Sequence, residues 1–423
     1  MRFCSALIAL VLVGAAYAQD VSKAAPQAEP KSVTVPITLD HNRIVIDVYL
    51  PLPDGSTRRV RGWVDNGNPD LEMSRRAATL MGLNVTCDDK ACSAPPPREI
   101  TIGGMKIPLA AVKEVKIPLK PVTAAALMAP GMSAEINLPS TVLRNYDVLV
   151  SFPDREFTLG QRDTIHFRGM SGKVLVNAGN GLVQMPSKID GKNYNLGLDV
   201  GSSFSFLSGE VFDKIATAHP DWPHMTGAAG NANMWGRDDE PKWKLLRVDR
   251  VQYGPVFLTG VAAASLSSDE SAFLAKRAGV ATAGLLGSNA LLNYRVGIDY
   301  AHSMAYFEVG TTFKAPDFDI IGLTLRPEDD GRFTIVGVGE FEGRPSVPEV
   351  QAGDHLVAVD SIPVPDSTMG QVWSMLEGQP GQERKLTIER AGKQFTVAAK
   401  VQHFLGEQTD KDEPKEKPKR NYR

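Results

Sequence analysis

Short apolar runs separated by turn residues make up most of the chain up to about residue 310. Short runs such as 35–39 and 44–50 alternate with turn signals such as Pro-Asp-Gly-Ser at 53–56, which is typical of antiparallel strands. Helical periodicity is limited to brief segments at 74–81, 210–218 and 270–278. The pattern therefore predicts a mainly β protein.

Three landmarks occur twice in the same order: an Asp-x-Gly turn entered by apolar residues, a hairpin with glycine in its turn, and a closing hairpin containing Asn-Tyr-x-Val. The first copies lie at 63–67, 100–107 and 143–152, and the second copies lie at 198–203, 251–258 and 291–300. Asp65 and Asp199 are 134 positions apart, and Tyr146 and Tyr294 are 148 apart, so the halves are similar in size. The repetition predicts two related lobes, and chance similarity of β-rich sequence is the alternative.

Two aspartates at equivalent places in two lobes have a specific chemical use. If the lobes pack face to face, Asp65 and Asp199 meet, and two adjacent carboxyl groups share one proton. The ionised group deprotonates a water that attacks a peptide carbonyl, while the protonated group donates to the developing oxyanion. Gly67 and Gly201 fit this arrangement because a side chain there would obstruct the approach of the two turns. A lone Asp before Gly would be interpreted as a turn residue, so the repeated context carries the prediction.

These features resemble the pepsin and retropepsin superfamily of aspartic proteases, in particular its bacterial members. The resemblance covers roughly residues 33–310 and includes both Asp-x-Gly turns, the run Gly-Leu-Leu-Gly at 284–287 and the closing segment 296–300. It implies two pseudo-symmetric β-barrel lobes and an endopeptidase that hydrolyses polypeptide with Asp65 and Asp199. No metal or organic cofactor is required for this chemistry.

The sequence departs from the family motif, which is usually Asp-Thr/Ser-Gly with a hydroxyl that bonds across to the opposite lobe. Asn66 replaces the first hydroxyl with an amide that can donate and accept, whereas Val200 offers no hydrogen-bonding group. Ser202 follows the second turn and completes the predicted residues that support the aspartates. The first lobe has Ile-Asn-Leu-Pro-Ser at 136–140 where the second has 284–287. Catalysis is sensitive to small displacements, so the alternative is an inactive pseudoprotease that binds peptides.

The hairpin at 100–107 has a predicted role by the same resemblance. In the family the first-lobe hairpin forms a flap over the bound peptide, which would place Ile102, Gly103 and Gly104 at its tip. A buried core hairpin is the alternative.

The first 18 residues have the pattern of a secretory signal, with Arg2, an apolar stretch at 6–15 and Ala-Tyr-Ala before the cleavage point. We therefore expect an exported protein, periplasmic or secreted. In such a compartment disulfides persist, so Cys87 and Cys92 are predicted to be bonded. Free thiols or half of a metal site are the alternatives, and no second ligand pair follows at metal-binding spacing.

Charge and apolar content exclude other partners. The formal net charge is only -3, which does not favour nucleic acid or an anionic membrane surface as partner. No later segment approaches the roughly 20 apolar residues of a membrane helix, so stable membrane insertion is not predicted.

The oligomeric state is left open. Neither a Gly-x-Ser-x-Gly nor a His-Glu-x-x-His motif occurs in the sequence.

Beyond residue 311, short strand-like runs surround one helical segment at 367–377, and this pattern predicts a small α+β domain. Gly-Asp at 353–354 and the strand after it resemble bacterial PDZ domains, and Ile321, Gly322 and Leu323 resemble the loop that receives a peptide's terminal carboxylate. The resemblance implies capture of polypeptide ends by strand addition. A module used only for packing is the alternative, as is an adaptor in which only this domain matters.

The predicted order of units follows from these features. It is a signal peptide at 1–18, a linker at 19–32, a first lobe at 33–163, a second lobe at 164–312, a PDZ-like domain at 316–403 and a charged mobile tail at 404–423.

Overall fold

The structure is a computed structural model that describes residues 29–89, 91–117, 134–228, 240–311, 318–328, 330–341 and 343–406. The predicted signal peptide, most of the predicted linker and the tail from residue 407 lie outside the described residues. Strands predominate over helices in the described part of the chain, which confirms the prediction of a mainly β protein.

The first half consists of short strands and two short helices. The strands are β1 (Ser32–Pro36), β2 (Thr38–Asp40), β3 (Arg43–Pro51), β4 (Thr57–Asp65), β5 (Leu71–Glu72), β6 (Thr86–Cys87), β7 (Cys92–Ala94), β8 (Glu99–Ile102), β9 (Met105–Pro108), β10 (Val115–Ile117), β11 (Ile136–Pro139), β12 (Tyr146–Ser151) and β13 (Glu156–Gln161). The helices are α1 (Arg75–Leu80) and α2 (Ser140–Leu143).

The second half repeats this plan with longer helices. The strands are β14 (Met170–Lys173), β15 (Leu175–Val176), β16 (Val183–Ile189), β17 (Lys192–Leu198), β18 (Ser205–Ser208), β19 (His224–Thr226), β20 (Lys244–Tyr253), β21 (Val256–Leu266), β22 (Gly284–Leu286), β23 (Tyr294–Asp299) and β24 (Met304–Val309). The helices are α3 (Gly209–Ala218) and α4 (Ser268–Ala278), and 3₁₀ turns lie at Glu240–Lys242 and Ser288–Ala290.

One six-stranded sheet joins the two halves, in the order β1-β13-β12-β23-β24-β14. Its central strands β12 and β23 are antiparallel, with Leu149 opposite Gly297. These partners are 148 positions apart, which is also the separation of Tyr146 and Tyr294. Equivalent residues therefore face each other at the centre, and an approximate two-fold axis passes between β12 and β23. The halves are two pseudo-symmetric lobes.

In each lobe, the strand that leads into the Asp-x-Gly turn pairs in parallel with a strand from later in that lobe. Strand β4 pairs with β11, where Asp65 is opposite Pro139. Strand β17 pairs with β22, where Leu198 is opposite Leu286, and the Asp199 N–H donates to the Leu286 carbonyl at 3.0 Å. The two aspartates therefore leave equivalent strands in equivalent surroundings.

A capped helix follows each of these turns, as the sequence predicts. Ser74 accepts a hydrogen bond from Ala77 N–H at the start of α1, and Ser208 accepts one from Val211 N–H at the start of α3. Serine at the N-cap satisfies a backbone N–H that the helix leaves free. The caps fix where the chain turns away from the aspartates.

The C-terminal unit has its own sheet, helix and core. Its strands are β25 (Asp319–Ile320), β26 (Leu323–Pro327), β27 (Phe333–Val338), β28 (Glu340–Phe341), β29 (Arg344–Pro345), β30 (His355–Val359), β31 (Ile362–Pro363), β32 (Glu383–Arg390), β33 (Lys393–Lys400) and β34 (Gln402–His403), and its helix is α5 (Met369–Leu376). The main sheet has the order β26-β27-β30-β32-β33. Helix α5 is held by a capping box between Thr368 and Gln371, and its buried side chains pack into that core.

The C-terminal unit is joined to the second lobe by a strand pair and by a hydrophobic cluster. Strand β28 pairs with β19 and so extends the second-lobe sheet. Phe404 and Leu405 are buried in a cluster with Phe206 and Trp243 of the second lobe. The prediction of a mobile tail from residue 404 is therefore wrong for 404–406, because two apolar side chains fill the space between the units.

Candidate active site

Both predicted catalytic aspartates are buried at the contact between the lobes. Strand β4 is exposed at its start and buried at its end, so Asp65 enters the core and is only 3% exposed. Asp199 follows the buried end of β17 and is 4% exposed. Buried carboxyl groups need partners, and each has them.

The glycines of the two turns lie against the aspartates of the opposite lobe. A methyl group added at Gly67 would overlap the carboxylate of Asp199. A methyl group added at Gly201 would lie 2.7 Å from the Asp65 Cα and 2.8 Å from its Oδ1. Only glycine permits these reciprocal contacts, which bring Asp65 and Asp199 together as the sequence predicts. We call this pair the dyad.

Asn66 joins the two turns with both ends of its side-chain amide. Its Nδ2 donates to the Leu198 carbonyl at 2.7 Å, and its Oδ1 accepts from the Val200 N–H at 2.7 Å. The side chain of Val200 is fully buried and adds packing alone. Trp63 Nε1 also donates across the lobes, to the Gly201 carbonyl at 3.0 Å. The hydroxyl that Val200 lacks is thus offset by one amide that makes two bonds.

Asp199 is held by backbone donors. Its Oδ1 accepts from the N–H groups of Gly201 at 2.9 Å and Ser202 at 3.0 Å. The N–H of Gly67, from the opposite turn, is a further donor to this carboxylate. Ser202 therefore acts through its backbone, while its hydroxyl donates to the Phe204 carbonyl. Backbone donors favour the ionised form of a carboxylate.

Asp65 has a different partner, which sequence reasoning missed as a site residue. Asn137 Nδ2 donates to Asp65 Oδ2 at 3.2 Å, and Asn137 is itself held by the Glu72 N–H and the Asp70 carbonyl. In the strand register Asn137 occupies the place that Leu285 has in the second lobe. The polar residue within the 136–140 run was the signal that could have identified it.

The surroundings separate the roles of the two aspartates. Burial, the neighbouring Asp199 and Glu72 raise the pKa of Asp65 well above its ordinary range. Burial also raises the pKa of Asp199, to about 6, but the N–H groups of Gly201 and Ser202 oppose this rise. A shared proton therefore belongs mainly on Asp65, and Asp199 is the ionised member.

A small cavity lies beside the dyad, beneath helix α4. Its volume is about 40 Å³, and its lining includes Asn66, Asp199, Gln184, Leu274 and Arg277. A cavity of that size can hold a water, which needs roughly 10–15 Å³, but it cannot hold a peptide. Nothing in the sequence predicted that α4 covers the site.

The structure does not bring the predicted flap tip to the dyad. The hairpin β8–β9 forms as predicted, and its turn residues Gly103 and Gly104 have φ of 53° and 88°. A methyl group added at Gly103 would lie 2.8 Å from a Val35 methyl, and Ile102 is fully buried. This turn packs against β1 and is absent from the lining of the dyad cavity, so the geometry fits the alternative of a core hairpin.

Cys87 and Cys92 form the predicted disulfide, which confirms that prediction. The bond closes the hairpin β6–β7, and an Arg75 guanidinium N–H points at both sulfurs.

The predicted carboxylate-binding loop of the C-terminal unit is closed. Ile321, Gly322 and Leu323 are all buried. The Ile321 N–H donates to the Leu376 carbonyl at 2.9 Å, and the Leu323 N–H donates to the Ile321 carbonyl at 2.8 Å. A methyl group added at Gly322 would meet the ring of Phe404 at 2.6 Å. The sequence-based role needs free amides, so it does not fit this arrangement. It would require these two hydrogen bonds to break and Phe404 to move away.

Two further properties concern the described residues only. No group of three or more His, Cys, Asp or Glu side chains there is placed to hold a metal ion. None of the helices in those ranges has the length and apolar character needed to cross a membrane.

Comparison with known proteins gives a likeness at the level of solved structures. No protein-family model matches the chain, and no curated protein is similar to it at a significant level. Among solved structures, the chain is similar to an aspartic proteinase from Irpex lacteus, with 11% identity and a TM-score of 0.42, over 67% of this chain and 99% of that one.

Proposed function

We propose that this chain is an aspartic endopeptidase that hydrolyses peptide bonds with Asp65 and Asp199. The observation that carries the proposal is the reciprocal contact of Gly67 with Asp199 and of Gly201 with Asp65. Glycine at both turns lets two carboxyl groups approach each other across the two-fold axis that relates the lobes. Burial of such a pair costs stability and has a direct use in acid–base catalysis.

The proposed reaction uses the different surroundings of the two aspartates. Asp199 takes a proton from a water as its oxygen attacks the peptide carbonyl carbon, and Asp65 gives its proton to the carbonyl oxygen. The resulting diol collapses with cleavage of the C–N bond. The amine nitrogen then takes the proton held by Asp199, and Asp65 regains a proton from a diol hydroxyl. Asn66 and Asn137 position the groups and do not exchange protons.

A second candidate is a peptide-binding protein that does not cut. The observation that favours it is the closed cleft, in which α4 leaves only about 40 Å³ beside the aspartates. In this case the dyad would be a buried remnant of the fold, and peptide binding would not lead to turnover.

The proposal extends to location and to the C-terminal unit. The signal-like N-terminal segment supports export to the periplasm or beyond, and the Cys87–Cys92 disulfide is compatible with an oxidising compartment. The C-terminal unit at 316–403 is proposed to be a PDZ-like domain that binds polypeptide ends after its loop opens. The limits of the two lobes, 33–163 and 164–312, remain predictions.

The test is a cleavage assay on the purified chain from residue 19, with an unfolded polypeptide as substrate from acid to neutral pH. We expect cleavage that is abolished by Asp65→Asn and by Asp199→Asn, while Asp213→Asn, a change at a surface ion pair with Lys244, leaves it intact. Cleavage that survives both dyad substitutions would exclude this mechanism. Peptide binding without turnover at any pH would establish the second candidate.

A further inference from the structure

Helix α4 of the second lobe lies over the dyad and buries few of its side chains. Ala278 is its buried residue, whereas Phe273 is 50% exposed. The helix is capped by its own neighbours, through a capping box at Ser267 and Glu270 and a left-handed Gly279 at its end. Leu274 packs partly buried against a hydrophobic cluster, and the side-chain amides of Asn177 and Asn180 donate to the last two carbonyls of the helix. Because the apolar area lost would be small, α4 can leave the cleft as an intact helix once these two bonds are broken.

Arg277, in the last turn of α4, crosses the cleft to the first lobe. Its Nη2 donates to Asn68 Oδ1 at 2.6 Å and lies 3.5 Å from Asp70 Oδ2. Asn68 in turn donates to the carboxyl group of Glu72. Arg277 of the second lobe thus occupies a polar site that the first lobe forms beside Asp65.

This polar site is acidic once Arg277 is withdrawn. The singly protonated dyad, Asp70 and Glu72 supply three negative charges, and Lys116, 2.8 Å from Asp70, supplies one compensating positive charge. The field of Arg277 reaches the carboxyl groups of Asp65, Glu72 and Asp199, since it opposes the rise that burial causes in the pKa of each. A ligand that opens the cleft without a cation of its own would leave those charges unbalanced.

Gln184 independently indicates a ligand in the same cavity. Its side chain is only 6% exposed, and within the described part of the chain no group donates to its Oε1. It lines the cavity between the dyad and Arg277. A buried amide oxygen without a donor is costly, so this acceptor suits an N–H group of a bound peptide.

We propose that Arg277 occupies, in this closed arrangement, the place that a Lys or Arg side chain of the substrate takes when α4 moves away. The inference rests on the proposed function and names its substrate class: extended polypeptide with a basic residue next to the cleaved bond. Arg277 then acts as an internal competitor that keeps the cleft closed until such a segment arrives.

The first experiment measures binding separately from cleavage. Fluorescent peptides of one sequence, with Arg, norleucine or Glu at each position in turn, are titrated into full-length Asp199→Asn protein by fluorescence anisotropy. We expect one position at which Arg binds on the order of tenfold more tightly than norleucine, as a charge-assisted hydrogen bond would give. Equal binding of Arg, norleucine and Glu at every position would overturn the inference.

The second experiment removes the internal competitor. Arg277→Gln is expected to tighten binding of the Arg peptide several-fold, while Lys276→Gln, which removes the same charge from the next position of α4, leaves it unchanged. Asp70→Asn should reduce the preference for Arg over norleucine. Thermal unfolding shows whether each variant is folded. An Arg277→Gln protein that folds and binds no better than the parent contradicts the competitor role.

The outcomes separate this inference from the proposed function. Arg-selective binding without cleavage by the parent chain would end the endopeptidase proposal and leave the basic subsite standing. Cleavage with no preference for a basic residue would support the endopeptidase proposal and overturn the basic subsite. If no peptide is bound or cleaved, both proposals fail.

Discussion

At the scale of single residues, the lobes are locked by an asymmetric device. Asn66 makes two hydrogen bonds across the lobes, whereas the side chain of the equivalent Val200 makes none and contributes only volume. The sequence was sufficient to predict that Asn66 could replace a hydroxyl. It could not predict that one amide would bond on both sides of Asp199, because that depends on the distance between two turns from different lobes.

Substitution of Asn66 tests this lock. Asn66→Ala leaves the Leu198 carbonyl and the Val200 N–H buried without partners, so we expect a loss of about 2–4 kcal/mol in the free energy of unfolding. Turnover should fall on the order of a hundredfold, because the dyad loses its alignment. Urea unfolding and a peptide-cleavage assay measure the two effects. Asn66→Thr, which can restore one of the bonds, serves as the comparison, and equal stability of the Ala variant and the parent would contradict the lock.

The pKa values of the dyad predict the pH dependence of cleavage. Asp199 must be ionised to act as base, and its pKa is about 6, so kcat/KM should fall as the pH drops through that value. Asp65 must be protonated, and its pKa is raised well above its ordinary range, so the second loss should come only at higher pH. The optimum is therefore expected above pH 6. A bell-shaped profile of kcat/KM measures both limbs, and full activity at pH 4 would contradict the assignment.

At the scale of elements, the sequence predicted which hairpins and helices form better than it predicted what they pack against. The hairpin at 100–107 and its glycine turn were predicted from local alternation and turn chemistry. Its contact with Val35 was not, since a hairpin looks the same whether its tip meets a peptide or the core. The same limit applies to α4: periodicity predicted a helix at 270–278, but only the packing of the lobes places Arg277 over the dyad.

Substitution in this turn distinguishes a core hairpin from a flap. Gly103→Ala puts a methyl group against Val35 at a left-handed φ, so we expect a loss of about 1–3 kcal/mol in unfolding free energy. The KM of the folded variant should stay at the parent value because the turn does not line the dyad cavity. Gly104→Asn places its side chain in open space, so its loss of unfolding free energy should be smaller. A raised KM with unchanged stability would restore the flap interpretation.

At the scale of the whole molecule, the C-terminal unit and the lobes form one packed assembly. His41 of the first lobe stacks on Trp373 of α5 with ring centres 4.5 Å apart, and the Gly370 N–H donates to Asp40. Phe404 and Leu405 fill the space against the second lobe. Sequence texture predicted a separate unit after residue 311 but not its attachment, because both surfaces are assembled from residues far apart in the chain.

Phe404 decides whether the C-terminal unit can bind a chain end. Its ring covers Gly322 and packs edge-on against Phe341 at 5.5 Å, so Phe404→Ala should cost about 3–5 kcal/mol in unfolding free energy. The same change uncovers Gly322 and leaves space into which the loop can open. We expect the variant to bind a peptide with a free terminal carboxylate and to reject the same peptide as an amide, by fluorescence anisotropy.

The parent chain and Phe404→Leu are the controls for this prediction. The parent should bind the free acid much more weakly than Phe404→Ala does, because its loop must first open. Phe404→Leu, which refills most of the space, should behave like the parent and show that the protein folds. Equal binding of the free acid by parent and Ala variant would mean that the loop opens without displacement of Phe404. Failure of a folded Ala variant to bind either peptide would assign the unit to packing alone, since Gly322 would then be uncovered and the loop would still bind no carboxylate.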